Sequence, residues 1–406
     1  MRLIKNILFV GLIALLASCT NRKQDFVERN VEFADGQLKC ALNAMEKPGR
    51  LPRSIRRDGA LGTVGPYDWT SGFFPGSLWY MFQLTGDESW KLEAERATEW
   101  LDTIQYYKGS HDVGFMLNCS YGNGLRLTHN EQYKQVLING AESLCTRFNS
   151  VTKTIKSWNG GGTKDGKRWQ FPVIIDNMMN LDLLFLASNL SGNEKYRNIA
   201  ITHARQTMKY HFRNDYSSYH VVDYDTITGE VRGRYTHQGY SHESSWARGQ
   251  AWGLYGFTSC YRETGEVEFL HQAEKIADYI INNPNLPEDM VPLWDYNVED
   301  PAYKPSWIDK LPKLEKSWRD ASAAAITCSA LLELSDLSKI NGAKYREVAK
   351  QILLTLSDKY KADNEINKYF ILDHSVGNIP SHSEIDVPIN YTDYYFLEAL
   401  ARYNNK

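Results

Sequence analysis

The sequence predicts an all-α fold, an (α/α)6 barrel that is built from helical hairpins and forms a single domain. Three observations lead to this prediction. A pattern of polar turn, aromatic residue and alanine recurs along the chain, the recurrences lie at the spacing of helix pairs, and segments with the two-residue period of a strand are few.

Five polar turns each join two amphipathic segments. An aromatic residue follows each turn, and in four of the five cases an alanine comes four residues later. A glycine in such a turn ends the first helix, and the acidic or amide residue beside it caps the second. The turns lie roughly 40 to 80 residues apart, which is the spacing of helix pairs with long insertions. They are centred on Gly86, His129, Gly192, Gly265 and Gly342, and the aromatic residues are Trp90, Tyr133, Tyr196, Phe269 and Tyr345.

Repeated helical hairpins can stack into an open solenoid or close into a toroid. The last segment, YTDYYFLEALARYN, has no polar face of the kind that an open end needs. We therefore expect a closed ring of about six hairpins, and no Pro-rich or Ser-rich boundary divides it. The segments YHVVDYD and GEVRGRY predict one short β-hairpin within this helical framework.

The first residues resemble a bacterial lipoprotein signal. A basic start is followed by an apolar run that is too short to span a membrane, and the sequence Leu-Ala-Ser-Cys ends at Cys19. We expect a lipoprotein of the bacterial cell envelope, which faces the periplasm or is anchored in the outer membrane and touches the membrane only through this lipid. The predicted parts are a signal peptide over residues 1–18, a lipid on Cys19 with a tether over residues 19–23, and a catalytic domain over residues 24–406.

Composition and spacing argue against several kinds of site. The formal net charge of -3 gives no basis for nucleic-acid binding. The aromatic share of 13% suits a protein that stacks on sugar rings, and it suits a large helical core equally. The five cysteines other than Cys19 form no C-x-x-C motif, so buried thiols are expected. His237 and His242 lack the spacing of metal ligands, and no metal or other cofactor is predicted.

Asp176 lies inside one of the most apolar runs of the chain, FPVIIDNMMNLDLLF. At helical spacing it shares a face with Asn180 and Leu183, and Pro172 is expected near the start of the same helix. Two interpretations remain open. The carboxyl is either a simple helix cap or a desolvated acid whose pKa is raised for proton transfer.

The loops between the repeats are rich in glycine, aromatic and charged residues, and in a barrel such loops form the pocket. Asp112 has an apolar setting like that of Asp176, and Gly114 beside it permits close approach. Two carboxyls that converge on one pocket separate their pKa values, so that one stays protonated near neutral pH. Arg248 lies among small residues, where it either binds a substrate carboxylate through its planar fork or forms a salt bridge inside the barrel.

Four segments together resemble glycoside hydrolase family 88, the unsaturated glucuronyl hydrolases, over nearly the whole chain after the signal. They are SHDVGFM, IIDNMMNLDLL, THQGY and SSWARGQAWGLYGF. The resemblance implies the (α/α)6 barrel, with Asp176 as general acid and base and Asp112 as its essential partner. Since the segment between Trp158 and Asp176 is longer than usual and holds Trp169, either tryptophan could flank the sugar. The substrate-binding residues that the resemblance implies are His111, Trp69, Trp158, His220, Thr236, Gln238, Arg248 and Trp252.

The implied substrate is an oligosaccharide from a polysaccharide lyase that ends in a 4,5-unsaturated uronic acid, and the protein is expected to act on it as a monomer. Two alternatives stay open at this point. One is an unsaturated rhamnogalacturonyl hydrolase, which applies the same chemistry to pectin fragments. The other is a helical lipoprotein that captures glycans without turning them over.

Overall fold

The computed structural model describes the backbone of residues 2–163, 165–306, 317–363 and 365–405, and the side chains of these ranges from residue 23 onward. The predicted signal peptide and the side chain of Cys19 therefore lie outside the residues whose side chains are described. Within the described part, no helix is both long enough and apolar enough to cross a membrane.

Two concentric sets of helices make up the fold. The inner helices are buried along most of their length, whereas the outer helices are amphipathic and bury one face against the inner set. The inner set consists of α2 (Phe73–Thr85), α4 (Val113–Leu117) with α5 (Asn123–Thr128), α7 (Asn177–Ser191), α9 (Ala247–Thr264), α11 (Ala321–Leu337) and α13 (Asn390–Asn404). The outer set consists of α1 (Arg2–Ala44), α3 (Glu88–Glu99), α6 (Glu131–Cys145), α8 (Glu194–Tyr210), α10 (Val267–Ile281) and α12 (Gly342–Lys359).

The ring of inner helices is closed, because the last helix packs against the first. Tyr394 of α13 lies with its ring centroid 5.4 Å from that of Phe73 and 5.3 Å from that of Tyr80, both on α2. The Tyr80 hydroxyl also donates a hydrogen bond of 2.8 Å to Glu398 of α13. These contacts confirm the prediction of a closed (α/α)6 barrel over that of an open solenoid.

The repeated turns end the preceding helix as the sequence predicted, with one exception. The predicted side-chain caps form at Asp87, Asn130 and Asn193 but not at Glu266 or Asn341. Gly86, Gly192 and Gly265 end their helices in the left-handed conformation with φ of 69° to 70°, and His129 does the same at 55°. Gly342 ends no helix; it is the first residue of α12. A Cβ there would lie 2.3 Å from the Ser335 carbonyl oxygen, so the glycine permits close approach of two helices. That part of the prediction was wrong.

Short antiparallel strands lie in the connections at the rim of the ring. The predicted hairpin is present as β6 and β7, and β5 pairs with its other edge. Pro172 begins β5 instead of lying near a helix start, so its predicted place was wrong. The strands are β1 (Leu51–Ile55), β2 (Leu61–Val64), β3 (Phe148–Asn149), β4 (Thr154–Ile155), β5 (Pro172–Ile174), β6 (Val221–Tyr224), β7 (Val231–Tyr235), β8 (Ser375–Asn378) and β9 (Ser383–Val387).

Candidate active site

The predicted site residues gather where the inner helices begin. Asp112 lies one residue before α4, Asp176 one residue before α7, and Arg248 is in the first turn of α9. Trp69 precedes α2 on the same rim. The ring therefore brings segments that are distant in the sequence to one end of its axis.

Asp176 occupies the position of a helix cap but does not act as one. Its side chain accepts no hydrogen bond from the start of α7. The carboxyl is buried, and within the described part of the chain its Oδ2 atom has no hydrogen-bond partner. Burial raises the pKa of Asp176 from 3.8 to about 6, and the negative charge of Asp112 adds to this increase against the opposing effects of His111 and Arg248. The geometry thus matches the desolvated acid and not the simple cap.

Asp112, in contrast to Asp176, has surroundings that favour its ionised form. Burial by itself would raise the pKa of its carboxyl, but His111, Ser110 and Arg147 together bring it below its usual value. The Ser110 hydroxyl donates a short hydrogen bond to Oδ2, and His111 Nε2 lies 3.2 Å from Oδ1. At pH values just below 6 the Asp112 carboxyl is therefore ionised, while Asp176 still holds its proton.

A chain of hydrogen bonds orients His111 toward Asp112. The backbone N–H of Ile174 donates to Ser157 Oγ over 2.9 Å, and this hydroxyl lies 3.3 Å from His111 Nδ1. Ser157 Oγ has a second lone pair and its own proton, so it can pair with Nδ1 in either tautomer. The ionised carboxylate of Asp112 only accepts hydrogen bonds, so the Nε2 atom that faces it carries a proton.

His220 is fixed in a similar way beside Asp176. Its Nδ1 accepts the backbone N–H groups of His237 and Gln238, each over 3.2 Å, so the ring proton sits on Nε2. Burial lowers the pKa of His220 well below its usual value, which keeps the ring neutral. Nε2 lies 3.7 Å from Asp176 Oδ2, beyond hydrogen-bond distance, and Trp246 stacks on the ring at 4.4 Å.

Arg248 forms the internal salt bridge that the sequence left open as the alternative. Its guanidinium is fully buried, and Nη1 lies 3.3 Å from Asp320 Oδ2. It also donates to the carbonyl oxygens of Val376 and Gly377 in β8, the second over 2.7 Å. In this arrangement both terminal nitrogens are engaged, so the fork is not presented to a ligand.

Gln238 and Thr236 shape the turn that leaves β7. Gln238 Nε2 donates to the Gly377 carbonyl over 3.1 Å, so it contacts the same strand as Arg248. Thr236 Oγ1 accepts the backbone N–H of Gly239 over 2.7 Å and thereby closes the turn. The hydroxyl of Thr236 is buried in this structural contact.

The three predicted tryptophans have different surroundings. Trp158 is half-buried, 5.1 Å from His237 between ring centroids, and the buried Trp169 stacks on it at 5.7 Å. Trp158 is therefore the tryptophan beside His220, and Trp169 supports it. Trp69 is partly exposed, whereas Trp252 is fully buried against Phe115 and has no face open to a sugar.

Several residues of the site were not singled out from the sequence. Ser110 could have been found, since it lies two residues before Asp112. Trp246 and Asp320 could not, because their roles depend on contacts with His220 and Arg248 that no local pattern reveals. Among the described residues, no group of three His, Cys, Asp or Glu side chains is placed to hold a metal ion.

Comparisons with known proteins agree with this geometry. The family model for Glycosyl Hydrolase Family 88 matches residues 51–404. The chain is similar to an unsaturated glucuronyl hydrolase of Formosa agariphila, with 42% identity over 100% of this chain and 98% of the relative. It is 32% identical to an unsaturated chondroitin disaccharide hydrolase of Streptococcus agalactiae, over 83% of this chain and 81% of the relative. A solved unsaturated glucuronyl hydrolase specific for heparin superposes with a TM-score of 0.86 at 49% identity, over 94% of this chain and 97% of the other.

Proposed function

The chain belongs to glycoside hydrolase family 88, and we propose that it removes a 4,5-unsaturated uronic acid from the non-reducing end of oligosaccharides that polysaccharide lyases produce. It is accordingly a glycosidase of the unsaturated glucuronyl hydrolase type. Its relatives act, by their names, on glucuronyl and chondroitin substrates, and one solved relative is specific for heparin. This favours a glycosaminoglycan source over pectin, and an enzyme over a protein that only captures glycans.

One observation carries the mechanism: two buried carboxyls whose surroundings set their pKa values apart. The C4=C5 bond of the unsaturated uronate is a vinyl ether, and its protonation needs an acid that keeps its proton to a higher pH than an ordinary carboxyl does. Asp176 supplies that acid. Its free Oδ2 has no competing hydrogen bond within the described residues, so the proton can go to C4.

Protonation at C4 leaves positive charge on C5 and the ring oxygen, and the ionised Asp112 stabilises it. A water molecule then attacks C5 and gives a proton to the Asp176 carboxylate, which restores the acid. The C5–O5 bond of the resulting hemiketal breaks, and the hemiacetal formed at C1 expels the remaining sugar. No nucleophile attacks the anomeric carbon, so the spacing rule for paired glycosidase carboxylates does not apply.

Neutral His220 offers an N–H group beside Asp176, and half-buried Trp158 offers a ring face. We assign both to binding of the unsaturated sugar, with Gln238, Thr236 and His111 as supports that hold this geometry. Trp69 lies on the same rim and adds stacking surface for the next sugar. Arg248 acts through the strand that it anchors.

The proposal is tested with one heparin-derived disaccharide in unsaturated and saturated forms. With the unsaturated form, the ultraviolet absorbance of the conjugated carboxylate should fall as the second sugar is released. The saturated form should stay intact, since it has no double bond to protonate. Equal cleavage of both forms would show that the enzyme hydrolyses the glycosidic bond directly and does not hydrate the double bond. Binding of both forms without cleavage would show that the protein captures glycans and is not an enzyme for them.

We also propose that the protein is a monomer held at the bacterial envelope by a lipid on Cys19. The signal-like start of the sequence supports the anchor. Replacing Cys19 by serine should move the protein from the membrane to the soluble fraction of the envelope, with unchanged turnover. An unaltered membrane fraction would refute the lipid.

A further inference from the structure

The segment KPGRLPRSIRR, residues 47–57, is strongly basic in a chain whose net charge is negative. It carries one lysine and four arginines and no acidic residue, while the whole chain has a formal charge of -3. Such a concentration of one sign creates a local positive potential that attracts anions. The mechanism described above makes no use of this segment.

The arginines of this segment line a cleft of about 610 Å³ at the rim of the barrel. One wall is the hairpin of β1 and β2, and the other is β9 with the residues that precede it. Asp112 and Asp176 do not belong to its lining, so it is separate from the catalytic pair. The basic residues of the lining are Arg50, Arg53, Arg56, Arg57 and His382.

The acidic residues of the cleft are bound by basic side chains. Glu384 accepts two hydrogen bonds from Arg53, of 2.6 and 2.9 Å, and Arg53 also binds Asp68 over 2.6 Å. Asp386 lies 2.7 Å from His374 Nδ1. Of the four arginines that line the cleft, only Arg53 is therefore engaged in ion pairs with acidic residues of the protein.

Arg50, Arg56 and Arg57 remain exposed, and none of them has an acidic partner among the described residues. Arg50 donates to the Thr63 carbonyl and Arg56 to the Leu61 carbonyl over 3.2 Å. These bonds direct the side chains along the β1–β2 hairpin without neutralising their charge. Guanidinium groups held in this way suit sulfate and carboxylate ligands, which they bind through two parallel hydrogen bonds.

The cleft is joined to the active site by the β8–β9 hairpin. β9 borders the cleft, whereas its partner β8 supplies the Gly377 carbonyl that binds Arg248 and Gln238. The two strands of this hairpin pair side by side, so the cleft borders the strand that Arg248 and Gln238 contact. On the other wall, Arg53 binds Asp68, the residue next to Trp69.

We propose that this cleft is a second binding site for the substrate, which takes a sulfated or carboxylated sugar several units from the unsaturated end. The occupant is a later part of the same anionic oligosaccharide, because the cleft and the catalytic rim share one hairpin. This inference rests on the proposed function for the identity of the oligosaccharide. With this second site, the affinity of the enzyme for its substrate depends on the length and sulfation of the oligosaccharide, which the catalytic pair alone does not produce.

The test uses an unsaturated disaccharide and an unsaturated hexasaccharide of the same sulfated composition. In the variant R50Q/R56Q/R57Q, the KM for the hexasaccharide should rise roughly five- to tenfold, as expected for three exposed charge contacts. The KM for the disaccharide should stay within about twofold of that of the unchanged enzyme, since a disaccharide cannot reach the cleft. The control variant K209Q/K275Q/K344Q removes the same charge from exposed positions on the outer helices and should leave both values unchanged.

Equal KM changes for both substrates, or none for the hexasaccharide, would overturn the proposal. A desulfated hexasaccharide separates the two ligand groups: if the effect of the variant disappears, sulfate is the group bound, and if it persists, the uronate is. Binding of a saturated sulfated hexasaccharide, measured by calorimetry, must weaken in the triple variant whether or not the enzyme turns anything over. Failure of the unchanged enzyme to cleave the disaccharide would refute the proposed function, whereas unchanged calorimetric affinity in the variant would refute the cleft.

Discussion

Asp112 and Asp176 have the same side chain and occupy equivalent places, each one residue before an inner helix. Their pKa values nevertheless move in opposite directions, because Asp112 has donors from Ser110 and His111 whereas Asp176 Oδ2 has none in the described part of the chain. The apolar run around Asp176 made the buried acid predictable from sequence. The ionised partner was predicted from the similar setting of Asp112 and from the family resemblance, whereas the donors that hold it come from loop geometry.

The pH dependence follows from this asymmetry. Asp176 must hold a proton to act, so kcat/KM should fall as pH rises through about 6. Asp112 must be ionised, and its pKa lies below its usual value, so the acid limb should lie below about 4. A pH profile of kcat/KM on an unsaturated disaccharide measures both limits. A profile that still rises above pH 7 would show that Asp176 is not the proton donor.

Arg248→Lys tests the residue that the structure places between Asp320 and β8. A lysine has one nitrogen in place of a planar fork, so it cannot reproduce the paired contacts with Asp320, Val376 and Gly377. We expect stability to fall by about 1–3 kcal/mol, because buried carbonyl groups lose a charged donor, and KM to rise as β8 shifts. Urea unfolding and steady-state kinetics measure the two effects. A higher KM with unchanged stability would instead favour direct contact of Arg248 with substrate.

At the scale of elements, the two carboxyls depend on how closely α4 approaches α7. A Cβ at Gly114 would lie 2.5 Å from Asn180 Cα, so only glycine fits. Asn180 Oδ1 in turn accepts the backbone N–H of Phe115 over 2.8 Å, which ties the two helix starts together. The packing of these two helices therefore fixes the distance between the acid and its partner.

Gly114→Ala should separate these helix starts. The added methyl group overpacks the contact, at a cost of about 1–3 kcal/mol in stability, and kcat should fall with it. Gly36→Ala is the matched control, because a Cβ there meets nothing within 4 Å and a helical alanine is favoured over glycine. Chemical denaturation and turnover would be compared in both variants. Equal stability and turnover of the two variants would show that the close contact between Gly114 and Asn180 does not matter for either property.

Local chemistry made most of the elements predictable, and contacts between distant segments account for the failures. Gly86, Gly192 and Gly265 carry their helix-ending signal within a few residues. Pro172 was misplaced because its strand is defined by pairing with Val221–Tyr224, about fifty residues later. Gly342 was misassigned because the reason for a glycine there is the nearby backbone of the preceding helix.

At the scale of the whole molecule, the end of the barrel opposite the active site holds an ionic network that joins inner helices. Arg402 of α13 lies 2.9 Å from Glu333 of α11 and 3.4 Å from Glu398, and it donates to the Tyr255 hydroxyl of α9 over 3.0 Å. Arg262 of α9 also binds Glu333 over 2.6 Å. The network links α9, α11 and α13, and its members Tyr255 and Arg402 are 147 residues apart in the sequence. Because Glu398 also accepts a hydrogen bond from Tyr80 of α2, the network extends across the closure of the ring.

Arg402→Met should therefore destabilise the closed ring. It leaves the buried Glu398 carboxylate without its arginine and removes one of the two arginines that bind Glu333, which costs about 3 kcal/mol. Arg346→Met is the control, since its pair with Asp336 is exposed and should contribute less than about 1 kcal/mol. The free energy of unfolding in urea measures both changes. Because the network lies at the other end of the barrel from Asp176, KM should stay unchanged at temperatures where the variant is folded. A large change in KM would show that the network also affects the active site.

The most direct measurement of the central claim is the turnover of an unsaturated disaccharide by Asp176→Asn, with Asp225→Asn in an exposed turn as the control. Removal of the transferable proton should lower kcat at least about a hundredfold while substrate still binds, and the control should keep its activity. Since the pKa of Asp176 is about 6 in the folded state against a usual 3.8, this buried acid lowers the stability of the fold as pH rises from about 4 to 6, and the loss persists above pH 6. Asp176→Asn should therefore be at least as stable as the unchanged protein at pH 8, so that loss of activity cannot be attributed to unfolding. Near-normal turnover by a folded Asp176→Asn variant would contradict the account.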